Sequence, residues 1–351
     1  MNVLLTCAGR RNYLVRFFQE ALGQRGKVIA CDSSDSAPAF MEADRCFVVP
    51  PIDHAGYFDA LAAICLEQKV RLLISVHDLE LASLSSLAPR FRTNGTIVVV
   101  SSASVISICQ DKWATFQFLK ENQILTPETY RSIDDVHRAL ACGAIRFPLL
   151  IKPRWGTSSI GIERIENKRE LNLAYEWAQI QLRRTILAKM AQAEPKDCFV
   201  FQELLEGPDY GMDMVNDLEG RHVGSYARHK LTMRAGCTDR AVTVNDPNLE
   251  RLGRVISERL NHVGCLDSDL ILTEKGYQVL DLNPRFGLAY PFSHIAGANL
   301  PAALLAWANG EAHDPSWLRC RSGVLSCKHD EVAIVDRKPQ TLSIDQKIQA
   351  C

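Results

Sequence analysis

Short apolar runs alternate with helical-period segments over the first hundred residues. The runs at 3–6, 28–31, 47–49, 71–76 and 97–100 predict strands, while Leu14, Phe17, Phe18, Ala21 and Leu22 recur at the spacing of one helix face. Segments 57–68 and 79–88 carry two more helices. Strands alternating with helices predict a parallel, doubly wound α/β sheet. Past residue 110 the pattern turns mixed. Asp111-Lys112 opens an amphipathic helix over 113–121, stopped before Thr126-Pro127. A short strand at 128–131 and a helix at 134–142 follow, then a buried strand, Phe147-Pro-Leu-Leu-Ile-Lys152-Pro153, that ends in a lysine. The loop Arg154-Trp-Gly156-Thr157-Ser158-Ser159-Ile-Gly161 leads into a further strand and a long polar helix over 168–193.

A strand at 199–205 is broken by Gly207-Pro208. Strands at 210–215 and 222–228 run antiparallel, and 230–240, with Ala235-Gly236-Cys237-Thr238, reads as a polar loop. Residues 247–260 form a helix started by Asp246-Pro247. An irregular loop over 286–291, a helix over 301–309 and a loosely attached polar tail over 336–351 complete the chain.

Between them lies a hairpin. Strands 266–273 and 277–283 are joined by Glu274-Lys275-Gly276, a three-residue loop with Gly in the left-handed position. That register sets Thr273 opposite Tyr277 and Asp269 opposite Asp281. Alternation then places Asp269, Asp281 and Asn283 on one face, with Leu270, Leu272, Leu280 and Leu282 on the other. Two carboxylates and an amide suit Mg²⁺, which combines a few carboxylates with phosphate oxygens. On the hairpin alone, an acidic edge standing in water is an equal alternative.

Composition narrows the classes. A length of 351 residues suggests two or three domains, and 47% apolar with 23% charged residues describes an ordinary globular chain. A formal charge of −1 leaves no electrostatic footprint for nucleic acid or an anionic membrane, and no apolar run reaches the length of a membrane span. The twelve cysteines are scattered without a C-x-x-C pair, and the nine histidines do not join them at ligand spacing. Buried thiols in a reducing cytosol are expected, with neither a disulfide framework nor a zinc site. A dinucleotide reading of the first sheet is weakened by its first turn, where Gly9 stands alone beside Arg10 and Arg11. His77-Asp78-Leu79-Glu80 lies after the fourth strand, where open sheets bind ligands, although Asp78 as a helix cap is an equal reading.

The order and spacing of these signals resemble the ATP-grasp superfamily, and within it the proteins similar to the large subunit of carbamoyl phosphate synthetase. The likeness runs through Asp111-Lys112, Pro148-Leu-Leu-Ile-Lys152-Pro153, the 156–161 loop, Gln202-Glu203 with Gly207, and Asp281-Leu-Asn283-Pro-Arg285. It implies a Rossmann-like domain over 1–110, then a two-lobed α+β unit over 111–335. That unit divides into a mobile lid over 126–205 and a metal and substrate portion over 206–335. Lys112 and Lys152 resemble the pair that reaches ATP phosphates, and Gly156, Thr157, Ser158, Ser159 and Gly161 resemble the lid over them. Gln202, Glu203, Leu204 and Leu205 resemble the adenine hinge, with Asp209 in the ribose position, where glutamate is usual. Asp269, Asp281 and Asn283 resemble the ligands of two Mg²⁺ ions, for which Mn²⁺ can substitute. Arg285, with Lys152 and Asn283, resembles the group around the transferred phosphoryl.

The activity implied is ligation of a small-molecule carboxylate to an amine or ammonia through an acyl phosphate. No covalent nucleophile is required, and the chain shows no Ser/His/Asp or Cys/His pattern. Arg11, Asp78, Glu80, Lys230, Arg234 and the 286–299 loop are the candidate substrate contacts. A homodimer is compatible with this reading; nucleic acid and membrane partners are not expected. A kinase of the same fold shares every ATP motif, a non-catalytic nucleotide-binding protein would not need Asp281 and Asn283, and a nicotinamide-dependent dehydrogenase is the rival at the level of fold.

Overall fold

The computed structural model describes residues 1–156, 161–185, 188, 197–334 and 339–341. Strands β1 (Asn2–Thr6), β2 (Val28–Asp32), β3 (Arg45–Val48), β4 (Val70–Ser75) and β5 (Ile97–Val99) form a sheet in the order 3-2-1-4-5, parallel throughout. Helix α1 (Asn12–Leu22) buries Leu14, Val15, Phe18 and Leu22 against one face. Helices α2 (Tyr57–Glu67) and α3 (Asp78–Thr93) cover the other with Tyr57, Leu61, Ile64, Leu84 and Phe91. Both faces are therefore buried, which is why the strands read as continuous apolar runs. Gln340–Thr341, expected in a loose tail, instead adds a sixth parallel strand beside β3.

Helix α4 (Ala103–Gln110), absent from the sequence expectation, leads into α5 (Lys112–Glu121). A four-stranded antiparallel sheet follows, built from β6 (Thr129–Tyr130), β7 (Leu149–Pro153), β8 (Glu163–Ile165) and β9 (Phe199–Glu203) in the order 6-9-7-8. Helices α6 (Ile133–Ala141) and α7 (Lys168–Leu182) close its own core around Val136, Leu149, Ile151, Leu171, Phe199 and Phe201. The expected continuation of α7 toward residue 193 falls largely outside the described residues.

The central sheet is six-stranded and antiparallel. It contains β10 (Asp209–Asn216), β11 (His222–Arg234), β12 (Cys237–Val244), β13 (Gly264–Thr273), β14 (Gly276–Val279) and β15 (Leu325–Cys327), in the order 14-13-10-11-12-15. Residues 230–240 are thus a strand pair turning at Ala235-Gly236, both at positive φ (48° and 74°), and not a loop. Residues 231–236 are all exposed, so a strand pair with this much wet surface reads as a loop. Helix α8 (Pro247–Leu260) packs below with Leu249, Ile256 and Leu260 against Met212, Met214, Leu266 and Leu270. Residues 290–295, expected as irregular, form a short helix α9 (Tyr290–Ile295), followed by α10 (Leu300–Ala308). Phe286, Tyr290, Leu300 and Leu304 join Leu14 and Phe18 of α1 in one continuous core, which ties the parallel sheet to the central one. Among the described residues no helix is long and apolar enough to cross a membrane.

The hairpin departs from its expected register. Thr273 pairs with Gly276 and Leu270 with Val279, so the loop is the two residues Glu274-Lys275. Farther along, Asp267 pairs with Asn283, and their backbones exchange bonds of 2.9 and 2.8 Å. Four residues on one side thus span three on the other, which is a β-bulge. The bulge restores Asp281 to the level of Asp269, while Val279 takes the core position expected of Leu280. Leu280 turns to the cleft instead.

Candidate active site

A cavity of about 340 Å³ lies where the parallel sheet, the four-stranded sheet and the central sheet meet. Its walls include Arg11, Asp78, Lys112, Lys152, Gly156, Lys230, Asp267, Asp269, Asp281, Asn283 and Arg285. Residues drawn from the whole length of the chain therefore converge on one space of a size suited to a small ligand.

Each lysine is set by a different device. Lys112 opens α5, whose cap Asp111 accepts from the N–H groups of Trp113 and Ala114. Asp111 also receives the Arg154 guanidinium at 2.7–2.9 Å, both side chains nearly buried. The Lys112 N–H donates to the Arg154 carbonyl, which fastens the start of α5 to the end of β7. Lys152 stands on β7, and its ammonium donates to Gln202 Oε1 on β9 at 2.6 Å. Lys112 Nζ reaches the Gly156 carbonyl at 3.2 Å. Burial and the neighbouring Lys152 push the Lys112 ammonium down to about 8; burial also lowers Lys152, against the pull of Asp281 and Asp269.

The opposite wall is acidic. Asp281 Oδ1 accepts from the Asp269 N–H at 3.1 Å, and Lys230 holds Asp269 Oδ1 at 2.5 Å. Burial, then the adjacent Asp269, raises the Asp281 carboxyl. Two carboxylates and the Asn283 amide thus share a wall facing two lysines. Among the described residues no three His, Cys, Asp or Glu side chains gather closely enough to hold a metal alone. Such a sparse oxygen set fits an ion that draws its remaining ligands from phosphate.

Behind this wall runs an ionic chain that the sequence reading passes over. Arg228, fully buried, donates to Asp213 Oδ2 at 2.6 Å and to Asp267 Oδ1 at 3.1 Å, and Ser293 also donates to Asp213. Two glycines make the room. A Cβ on Gly211 would come 2.9 Å from Arg228 Nε, and one on Gly287 would come 2.3 Å from Asp267. Period-two alternation from Asp269 was signal enough to find Asp267. Arg285 Nη1 approaches Asp267 at 3.9 Å, and the guanidinium is gripped by Asp78 at 2.9 and 3.0 Å.

Several expected residues lie elsewhere. Glu80 is fully buried away from the cleft, accepting from Thr6 at 2.8 Å, from Ser75 at 2.6 Å and from Tyr57, because its helix faces the sheet. Asp78 lines the cleft and binds Arg285, and the cap of α3 is His77. Arg234 is half-exposed near the β11–β12 turn, held by Asp330 and Asp239, and does not line the cavity. Of the 286–299 loop, Leu288 and Ala289 reach the cavity. Gln202 is tied to Lys152, while Glu203 ends β9, Leu204 and Leu205 follow, and Asp209 begins β10; none of these four lines the cavity. Gly156 lines it, Gly161 packs on Pro153, and Thr157, Ser158 and Ser159 lie outside the described residues.

A parallel α/β domain followed by two antiparallel sheets that enclose a cleft with lysines on one wall and acids on the other defines a nucleotide-binding class of fold. Comparison with known proteins gives the family. Residues 109–288 match the model described as ATP-grasp domain, and residues 3–99 match that described as PylC-like, N-terminal domain. The chain belongs to the ATP-grasp family. It is 26% identical over 179 residues to formate-dependent phosphoribosylglycinamide formyltransferase of Thioalkalivibrio sulfidiphilus, a match covering 50% of this chain and 43% of that protein. It is 22% identical over 205 residues to the carbamoyl phosphate synthase large chain of Helicobacter pylori, covering 56% of this chain and 18% of the other. The chain thus spans less than half the length of these curated relatives. Biotin carboxylase of Campylobacter jejuni, solved as a β,γ-ATP complex, shares the fold with TM-score 0.73 at 13% identity, over 93% of this chain and 75% of that one.

Proposed function

We propose that the protein is an ATP-dependent ligase that joins a small-molecule carboxylate to an amine or ammonia, with ADP and phosphate as the other products. One observation carries the reading: a single cavity gathers Lys112, Lys152, Asp269, Asp281, Asn283 and Arg285. Phosphoryl transfer is chiefly positioning and charge neutralisation, and this inventory supplies both. A carboxylate oxygen of the acid attacks the γ-phosphorus and the bond to ADP breaks. The nitrogen nucleophile then attacks the acyl carbon, and phosphate leaves with the oxygen that came from the acid.

Lys112 and Lys152 neutralise the phosphate oxygens, and Arg285, oriented by Asp78, meets the charge on the transferred group. Asp269, Asp281 and Asn283 would hold Mg²⁺, two ions in this reading with Mn²⁺ able to substitute, which neutralises phosphate charge when bound. Gln202 aims Lys152; residues 203–205 and Asp209 are assigned to the adenosine end. The unit over 126–205, with the 156–161 loop, is assigned as a lid that keeps water from the acyl phosphate. Arg11 and Lys230 remain as substrate contacts. A homodimer in the cytosol is the proposed setting.

The test is ATP consumption with hydroxylamine as the nitrogen trap across a panel of carboxylates. Hydroxamate from one acid or a related group supports the reading and names the acid. ADP release without hydroxamate from any acid would favour a kinase of the same fold.

A further inference from the structure

Resting on the ligase reading, we propose that the nitrogen nucleophile is not ammonia but an amine that carries its own carboxylate or phosphate, held by Arg11 and His77 where the parallel sheet opens onto the cleft.

The chain leaves β1 toward β2 and β3 on one side and returns to β4 and β5 on the other, so the switch point of the sheet lies between β1 and β4. Ligands of open sheets bind in the crevice beyond the strand ends at that point. Arg11 belongs to the connection after β1 and His77 to the connection after β4, and both line the cavity. The Arg11 guanidinium donates to the Val76 carbonyl at 3.5 Å, so it lies against the peptide that leads into His77. Its other terminal nitrogen donates to the Tyr13 hydroxyl at 2.8 Å, which holds the group in place.

Both of these partners are uncharged. Among the described cations of the cavity wall, Lys230 is matched by Asp269 and Arg285 by Asp78, while Lys112 and Lys152 serve the nucleotide phosphates in the ligase reading. Arg11 forms no ion pair with a described carboxylate, which leaves its charge for a ligand. His77 adds a ring donor beside it. Its Nδ1 accepts from the Leu79 N–H at 3.2 Å, capping α3, so a ring proton sits on Nε2. Ser75 Oγ bonds both the N–H and the carbonyl of His77 at 3.2 Å, which fixes the backbone that carries the ring. Nε2 has no hydrogen-bond partner among the described residues. A guanidinium and a ring N–H, side by side without an acceptor of their own, are the complement of an oxyanion.

Charge and distance select the substrate. His77 is extended (φ −131°, ψ 127°), and Asp78, the next residue, holds Arg285 at 2.9 and 3.0 Å. The residues that meet Arg11 and Arg285 thus stand two steps apart, about 7 Å along an extended segment. In the ligase reading Arg285 already answers the reacting end of the acid. An anion at Arg11 and His77 lies one short molecule away, the place of the partner that attacks the acyl carbon. Ammonia needs no such site, and its protonated form is repelled by an unmatched guanidinium. The same charge draws in an anionic amine.

The test measures binding to the full chain by calorimetry, for β-alanine, γ-aminobutyrate and ethanolamine phosphate against propylamine, butylamine and ammonium. Charge-assisted bonds are worth roughly tenfold or more in affinity, so at least one anionic amine should exceed the simple amines and ammonium by about that factor. Arg11→Gln and His77→Ser should each shrink the margin; serine keeps the cap of α3 and removes only the ring donor. Arg11→Glu should turn the order round and favour putrescine over γ-aminobutyrate, an outcome that a misfolded chain does not give. No binding of any anionic amine, equal binding of anionic and simple amines, or a margin that survives in both Arg11→Gln and His77→Ser would overturn the proposal. With an acid that yields hydroxamate, the tightest anionic amine should compete with hydroxylamine and not with the acid. Competition with the acid would give the site to the acid and overturn the assignment to the amine. Because binding is read without turnover, an Arg11-dependent margin without hydroxamate from any acid counts against the ligase reading alone.

Discussion

Two carboxylates, the fully buried Glu80 and the half-buried Asp281, stand in opposite circumstances. Burial raises the proton affinity of both. Glu80 is surrounded by hydroxyl donors from Thr6, Ser75 and Tyr57, which use up its oxygens inside the first domain. Asp281 accepts one backbone N–H from Asp269 and otherwise faces the cleft, with Lys230 and Lys152 acting on it from across the space. A raised proton affinity therefore does not separate an acid sealed in the core from one open to the cleft. The accounting of donors does.

The contrast breaks most directly at Asp281. Asp281→Ala should lower ATP-dependent turnover by on the order of 10²-fold or more, as expected for loss of a preorganised electrostatic group. Thermal unfolding should change little, or rise, because repulsion with Asp269 is relieved. A variant that loses turnover only in proportion to lost folded protein would make Asp281 another Glu80.

Asp111 is a third kind of acid, sealed by an arginine instead of hydroxyls. Asp111→Ala removes the carboxylate that binds the nearly buried Arg154 guanidinium and caps α5, and should cost about 3 kcal/mol in denaturant unfolding. It should also raise the KM for ATP, since the same pair fixes Lys112 to the end of β7. Arg154→Met added to it should recover part of the stability but not the KM.

Glu80→Ala should cost about 2–3 kcal/mol by stranding the three hydroxyls, with turnover per folded molecule unchanged. The pH dependence has a definite sign. A carboxyl raised in the folded state contributes stability that is full below the ordinary glutamate value of 4.5 and is lost as pH rises through its folded value. The stability difference between wild type and Glu80→Gln should therefore shrink as pH climbs from that value toward neutrality. A constant difference would mean that Glu80 is charged throughout.

The smallest effect concerns Lys112. With its ammonium lowered to about 8 from an ordinary 10.5, the free chain gives up this proton on folding between those values, so its stability gains as pH rises through that window. Phosphate binding restores the charge. ATP binding just above pH 8 should thus take up a fraction of a proton, seen by calorimetry in buffers of different ionisation heat, and Lys112→Met should abolish the uptake.

Much of this was legible in the chain. The alternation of the first hundred residues, the lysine at the end of a buried strand and the Asp281-Leu-Asn283-Pro-Arg285 spacing carried the fold class and most of the cleft. What was not legible has physical causes. The bulge that turns Leu280 outward depends on a two-residue loop, which composition does not separate from a three-residue one. The β11–β12 pair looks like a loop because its turn end, residues 231–236, is exposed throughout. Glu80 and Asp78 share the first turn of one helix, yet one faces the sheet and the other faces Arg285.

The central claim is that a carboxylate is activated in this cleft by transfer of the γ-phosphoryl group. The direct measurement supplies the accepted acid with ¹⁸O in its carboxylate and follows the label into inorganic phosphate during ATP-dependent product formation. One labelled oxygen per phosphate released is the result predicted, lost in Asn283→Ala together with turnover. Phosphate released without label, while product still forms, would contradict the acyl-phosphate account.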